Sequence, residues 1–222
     1  MFPLIGMSRN GIGNDSHTTL LMHCDGADGG TTFVDSSKTG TTFGVGGTAQ
    51  TDTDQKVFGT ASLQLPTNVS YVITNLNVVP PGTGDYTYDF WVRFTTVDVT
   101  AQLGDNDQGY ANLYIQWAQN HVALYLWFSG TNMSLPNGSW LPVINTWYHL
   151  AFMRRSGIVY TYINGVLSGS SAASGSTTAA KYSCGYHNSS QGYSLIGNMD
   201  EVRVSDIARF NVAGFTRPNR AS

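Results

Sequence analysis

Charge is what this chain has least of. Only 11% of its residues are Asp, Glu, Lys or Arg, against roughly a quarter in an ordinary globular protein. Thirteen of the acids are Asp and one, Glu201, is Glu; the lysines are Lys38, Lys56 and Lys181. Glu and Lys clothe helix surfaces, so their scarcity argues against helices. A single glutamate also excludes any mechanism that needs two. There is no run of Lys and Arg and the net charge is −3, which leaves no electrostatic footprint for nucleic acid. No apolar run approaches the roughly 20 residues of a membrane helix, so membrane insertion is not expected. Two cysteines, Cys24 and Cys184, are too few for a disulfide framework; they read as buried thiols or as one bridge, and spacing does not choose between these. The opening MFPLIGM is apolar but has no basic flank and is not read as a secretory signal.

What remains is turn and strand material. Gly, Ser, Thr and Asn account for 86 of the 222 residues, and 41% hydrophobic content is enough for a substantial core. Residues 1–17 lack periodicity and read as an extended arm, either a floppy terminus or a segment ordered against a partner. From Thr18 short strands follow. In Asp85–Phe94, Tyr86, Tyr88, Phe90, Val92 and Phe94 share one face, and Thr87, Asp89, Trp91 and Arg93 the other, the period of a half-buried antiparallel strand. Strands are expected at Thr18–His23, Ala61–Leu65, Tyr71–Ile73, Leu113–Trp117, His121–Phe128, Trp147–Arg154, Ile158–Ile163 and Met199–Val204. Asn164-Gly165 reads as a type I′ hairpin turn. The small-residue stretch 168–180 reads as a flexible surface loop, Asp206–Phe210 as one helical turn, and Pro218 as the start of a tail. Eleven or twelve strands without a long helix predict an all-β, two-sheet antiparallel sandwich.

The segments LLMHCDG (20–26), TFVDS (32–36), FGTAS (58–62), GDYTYDFWV (84–92), TWYHLA (146–151), YINGV (162–166), IGNMDEVRV (196–204) and IARF (207–210), in that order, resemble the laminin-G-like, concanavalin A-like jelly-roll domains. The resemblance covers about residues 18–218 and leaves 219–222 as a C-terminal tail. It implies a sandwich of two curved antiparallel sheets. Members are lectins, adhesion modules, glycan hydrolases and structural domains of secreted and virion proteins, and the wording of both ends is similar to versions frequent in bacteriophage. Here the domain fills nearly the whole chain.

Hydrolases on this fold use two glutamates flanking an aspartate. With Glu201 alone that set does not exist, and adjacent Asp200 and Glu201 lie on opposite faces of a strand. Glu201 is expected to pair with Arg203 two positions on, and Asp200 to accept hydrogen bonds from a turn. His149 alternates with Trp147 and reads as a sheet-face or core histidine. Gly44-Val-Gly-Gly-Thr-Ala49 fits a dinucleotide pattern in letters only, because no helix follows. Asp105-Asn-Asp107 and the pair Asp25 and Asp28 make calcium a candidate cofactor, with solvated acidic turns as the competing reading. Trp117, Tyr125 and Trp127, near Asn112, Gln116 and His121, are the candidate ligand-binding residues, because sugars stack on aromatic rings.

The expectation is thus a non-enzymatic structural or adhesion module on a virion or in the extracellular space: a phage decoration, fibre or appendage subunit. Its partners would be capsid or tail proteins, further copies of itself, or surface glycans. A stand-alone carbohydrate-binding lectin ranks second and a glycan hydrolase third.

Overall fold

The computed structural model describes residues 14–98, 100–105, 113–118, 123–128, 131–134, 140–173, 175–185 and 193–219. Among these there is no helix, and none long and apolar enough to cross a membrane. Strands are numbered in chain order. One sheet runs β13 (Val166–Ala172), β12 (Ile158–Ile163), β11 (Trp147–Arg155), β6 (Tyr86–Phe94), β15 (Gly197–Ser205), β4 (Ser62–Leu65), β3 (Gln50–Asp52), with β1 (Thr18–Met22) also paired to β15. The other runs β10 (Thr131–Ser134), β9 (Ala123–Phe128), β8 (Leu113–Ala118), β7 (Ala101–Asp105), β14 (Ser183–Gly185), β5 (Tyr71–Thr74), β2 (Phe43–Gly46). All these strand pairs are antiparallel.

The core lies between the sheets, where the alternation of β6 sends its aromatic face. Tyr88 stacks on Tyr182 with ring centroids 5.8 Å apart, Phe90 on Phe152 at 6.3 Å, and Phe94 meets Trp117 edge-on at 6.1 Å. Each such ring, fully buried, contributes roughly 1.5–3 kcal/mol by leaving water. Cys24 and Cys184 are both buried free thiols in this core, and burial pushes the Cys184 thiol up to about 12.

The outer face of the eight-stranded sheet has two halves. One is covered by the chain after β15. Phe210 and Phe215 stack 3.7 Å apart over Ala151, Met153 and Tyr162 and form a second apolar cluster. The turn Asn164-Gly165, with φ of 53° and 79°, has the left-handed backbone of a type I′ hairpin, and the Gly165 carbonyl accepts the Phe215 N–H. In the second half Trp147, Arg93, Gln64 and Gln50 are partly exposed, while Asn198 and Asp52 are buried among them.

Three expectations need correction. Asp206–Phe210 is a bend rather than a helical turn, because its backbone bonds to β6: Thr87 Oγ1 donates to Ile207 O and accepts Arg209 N–H. Residues 168–172 continue β13 against β12, and Thr177 and Ala180 bridge to Gly82 and Val79; Arg154 fixes the intervening turn by donating to the carbonyls of Ala173 and Gly175. Glu201 and Arg203 do not follow simple alternation. β15 pairs with β4 through 197–199 and with β1 through 202–205. At that hand-over Glu201 takes φ 51° and the register against β6 jumps, as in a β-bulge. Arg203 binds Asp89, and Glu201 binds His23.

Candidate functional site

Trp117 does not serve as a sugar platform. It is fully buried, and its indole N–H donates to Trp140 O at 3.1 Å. Its ring closes the core against Phe94, so no face is free for stacking. Tyr125 and Trp127 lie on β9, opposite Gln116 and Tyr114 of β8. Of that hairpin Ile115, Trp117 and Leu124 are buried. Asn112 and His121 fall outside the described residues.

The acidic loops are committed to holding other loops. Asp25 Oδ1 accepts from Thr60 N–H and Oγ1, and Asp28 Oδ1 from Thr53 N–H. No group of three or more His, Cys, Asp or Glu residues able to hold a metal occurs among the described residues. Asn106 and Asp107 lie outside them.

Two clusters of buried charges lie around β15. In the first, Arg203 Nε and Nη2 donate to the two Asp89 oxygens, each at 2.9 Å, and His149 Nε2 lies 3.3 Å from Asp89 Oδ2. Burial alone would raise the Asp89 carboxyl, but Arg203 and the histidine hold it at about 2. In the second, the N–H groups of Val57 and Phe58 donate to Asp200 Oδ2, the expected turn contact. Burial still pushes Asp200 up to about 7. His23 Nδ1 lies 2.8 Å from Glu201 Oε1, and this bond raises the histidine. Asp200 is inaccessible to solvent and Glu201 nearly so. Neither carboxyl stands where a glycosidic bond could reach it.

The second half of the outer face carries a different arrangement. Antiparallel register lines up Trp147, Arg93, Asn198, Gln64 and Gln50 across β11, β6, β15, β4 and β3. Five strands at about 4.8 Å spacing make a row nearly 20 Å long. Hydrogen bonds tie it together. Arg93 Nη1 donates to Asn198 Oδ1 at 3.2 Å, Asn198 Nδ2 to Asp52 Oδ2 at 3.1 Å, and Gln50 Nε2 to Gln64 Oε1 at 2.8 Å. A groove of about 250 Å³ runs beside the row, walled by Gln55, Gln64, Arg93, Thr95 and Asn198, with Pro66 at its edge. The partly exposed amides of Gln64 and Gln55 and the guanidinium of Arg93, held in place by buried Asn198 and Asp52, are donors and acceptors of the kind that fix hydroxyl-rich ligands.

Sequence reasoning missed this row. The alternation of β6 does put Arg93 on the outer face. Yet β3 is only Gln50-Thr-Asp52, which reads as a polar turn, and nothing in the sequence sets the register that brings Asp52, Gln64 and Asn198 together.

Comparison with known proteins agrees with the fold. Domain 4 of AbnA, a GH43 extracellular arabinanase from Geobacillus stearothermophilus solved in complex with arabinotriose, superposes with a TM-score of 0.68 at 20% identity, over 87% of this chain and 94% of that domain. The botulinum neurotoxin serotype D binding domain gives 0.66 at 14% identity, over 86% of this chain and 49% of that one. The binding domain of Paraclostridial Mosquitocidal Protein 1 gives 0.66 at 15%, over 88% and 50%. The chain therefore spans about half of each toxin domain, and at these identities the likeness is one of fold. No curated protein sequence matches. The sequence does match the concanavalin A-like lectin/glucanases superfamily over residues 66–211, and with the two-sheet sandwich in place the chain belongs to that superfamily.

Proposed function

We propose that the chain is a non-catalytic saccharide-binding module that works outside the cell, with the outer-face groove at Arg93, Asn198 and Gln64 as its site. The observation that carries this reading is the hydrogen-bonded polar row lining a partly exposed groove on the outer sheet face. Nothing in the core requires it, and its length suits a short oligosaccharide. Titration calorimetry with neutral oligosaccharides tests it: a Gln64→Ala protein with unchanged thermal stability should bind more weakly. The reading fails if no saccharide binds, or if every groove variant binds as the parent does.

The likeness to a domain solved with arabinotriose and to toxin binding domains supports saccharide binding over catalysis, as does the lack of a second glutamate. The same module would suit a bacteriophage decoration, fibre or appendage subunit, docked through residues 1–17 to capsid or tail proteins or to its own copies. Support for this is the resemblance at both ends of the domain. A truncation lacking residues 1–17 that still assembles on its particle would overturn it. Tyr125 and Trp127 of β9 are a second candidate, checked by their double alanine variant in the same titration.

A further inference from the structure

One charge in the groove has no counter-ion among the described residues. Arg93 donates to Asn198 Oδ1 and, through Nη2, to Asn145 Oδ1 at 2.6 Å. Both acceptors are neutral amides, and among the described residues no carboxylate lies within 4.0 Å of this guanidinium, the ion pairs there being those of other groups. By contrast, Asp89 holds Arg203 and Asp15 holds Arg209.

Asp52, the acid in the groove wall, is already saturated. Its Oδ1 accepts the N–H groups of Asp54 and Gln55 at 2.9 and 3.2 Å, and its Oδ2 accepts the amides of Asn198 and Gln64 at 3.1 and 3.3 Å. A carboxylate has about four lone-pair sites, and these four bonds fill them. Arg93 is half-buried and lines the cavity. A guanidinium offers five N–H donors in a rigid fork matched to carboxylates. With two donors spent on Asn198 and Asn145, the remainder are free for a ligand. Trp147, also half-buried, is the register partner of Arg93 on the same face. An apolar ring and a cation therefore stand side by side on neighbouring strands.

We propose that the groove selects acidic saccharides, a uronate or sialate whose carboxylate pairs with Arg93 while its ring rests against Trp147. This rests on the saccharide-binding reading above and adds the charge of the ligand. In partly buried surroundings such a charged hydrogen bond discriminates by about tenfold or more.

Titration of the full chain with trigalacturonate and with its methyl ester separates charge from ring shape. Paired titrations with 3′-sialyllactose and lactose separate sialate from uronate. Neutral arabino-oligosaccharides report saccharide binding as such. At least one acid should bind about tenfold tighter than its neutral counterpart, and added salt should narrow the gap. Arg93→Gln should bring the acid-to-neutral affinity ratio to about one, whatever its effect on overall affinity, and Arg93→Lys should restore part of the ratio. Equal binding of acid and neutral forms, or a preference that survives in Arg93→Gln, overturns the charge selection and leaves the groove reading standing. Absence of binding to every saccharide overturns both.

Discussion

Asp89 and Arg203 face each other across β6 and β15, joined by two hydrogen bonds of 2.9 Å in a site closed to solvent. The pair adjoins the contact between the outer sheet face and the C-terminal segment. His149, which shares Asp89 Oδ2, also packs edge-on against Phe210 and Phe215. Removing one partner leaves a buried charge without its counter-ion, which costs about 3–5 kcal/mol. Asp89→Ala or Arg203→Ala should therefore lower the midpoint of thermal unfolding by roughly 10 °C. A double Asp89→Leu, Arg203→Met variant should lose less than the sum of the singles, because it carries no orphaned charge.

The ionisable groups predict the shape of the stability–pH curve. Asp200 has a folded value of about 7, above its unfolded 3.8. Between those values the folded state holds a proton that the unfolded state has released, so stability falls as pH rises through that window. His23 is also raised: its contribution is complete below its unfolded value and fades as pH climbs through the folded one. Asp89 is depressed to about 2, so its contribution is present above its unfolded value of 3.8 and disappears as pH falls toward 2. Stability should peak on the acidic side of neutrality, near pH 4–5, with a decline toward pH 8. Asp200→Asn, which keeps an acceptor for Val57 and Phe58, should flatten that decline in denaturant titrations at a series of pH values. An unchanged slope would remove Asp200 as its cause.

Residues 14–17 are bound to the domain by a latch from the other end of the chain. Arg209 Nη1 and Nη2 donate to Asp15 at 3.0 and 2.7 Å, Nη2 also reaches Thr18 Oγ1, and Nε donates to Ser205 Oγ. Asp15 is half exposed while Arg209 is buried. Arg209→Ala, which strips the buried side of this network, should thus destabilise more than Asp15→Ala, where water replaces the lost acceptor. The expected losses are about 2–3 against about 1 kcal/mol, measurable by urea unfolding.

The sandwich, the strand Tyr86–Phe94, the Asn164-Gly165 turn and the buried state of His149 were legible in the sequence, because each rests on a local period or a local turn rule. Glu201 shows where locality ends. Alternation would face it the way Arg203 faces, but β15 changes partner beside it and the bulge redirects both side chains. The groove was hidden for a related reason: Gln64, Asn198 and Arg93 belong to strands far apart in sequence, and only their register sets the three on one line. Trp117 was misjudged because an aromatic that alternates with polar neighbours has the same pattern whether its face points to ligand or to core.

Two tryptophans separate core from groove most directly. Trp117→Ala empties a site of 0% exposure between the sheets and should cost about 3–5 kcal/mol, visible as a large drop in the thermal midpoint. Trp147, half-buried beside Arg93, bears on a surface rather than on the core. Trp147→Ala should cost under about 1.5 kcal/mol of stability, typical of a half-exposed position, yet weaken oligosaccharide binding by about tenfold or more through the lost stacking face. Parallel melting curves and titrations on the two variants decide the matter. If Trp147→Ala binds as the parent does, the row from Trp147 to Gln50 is not a ligand path. If Trp117→Ala melts like the parent, the packing assigned to the core between β6 and β8 is wrong.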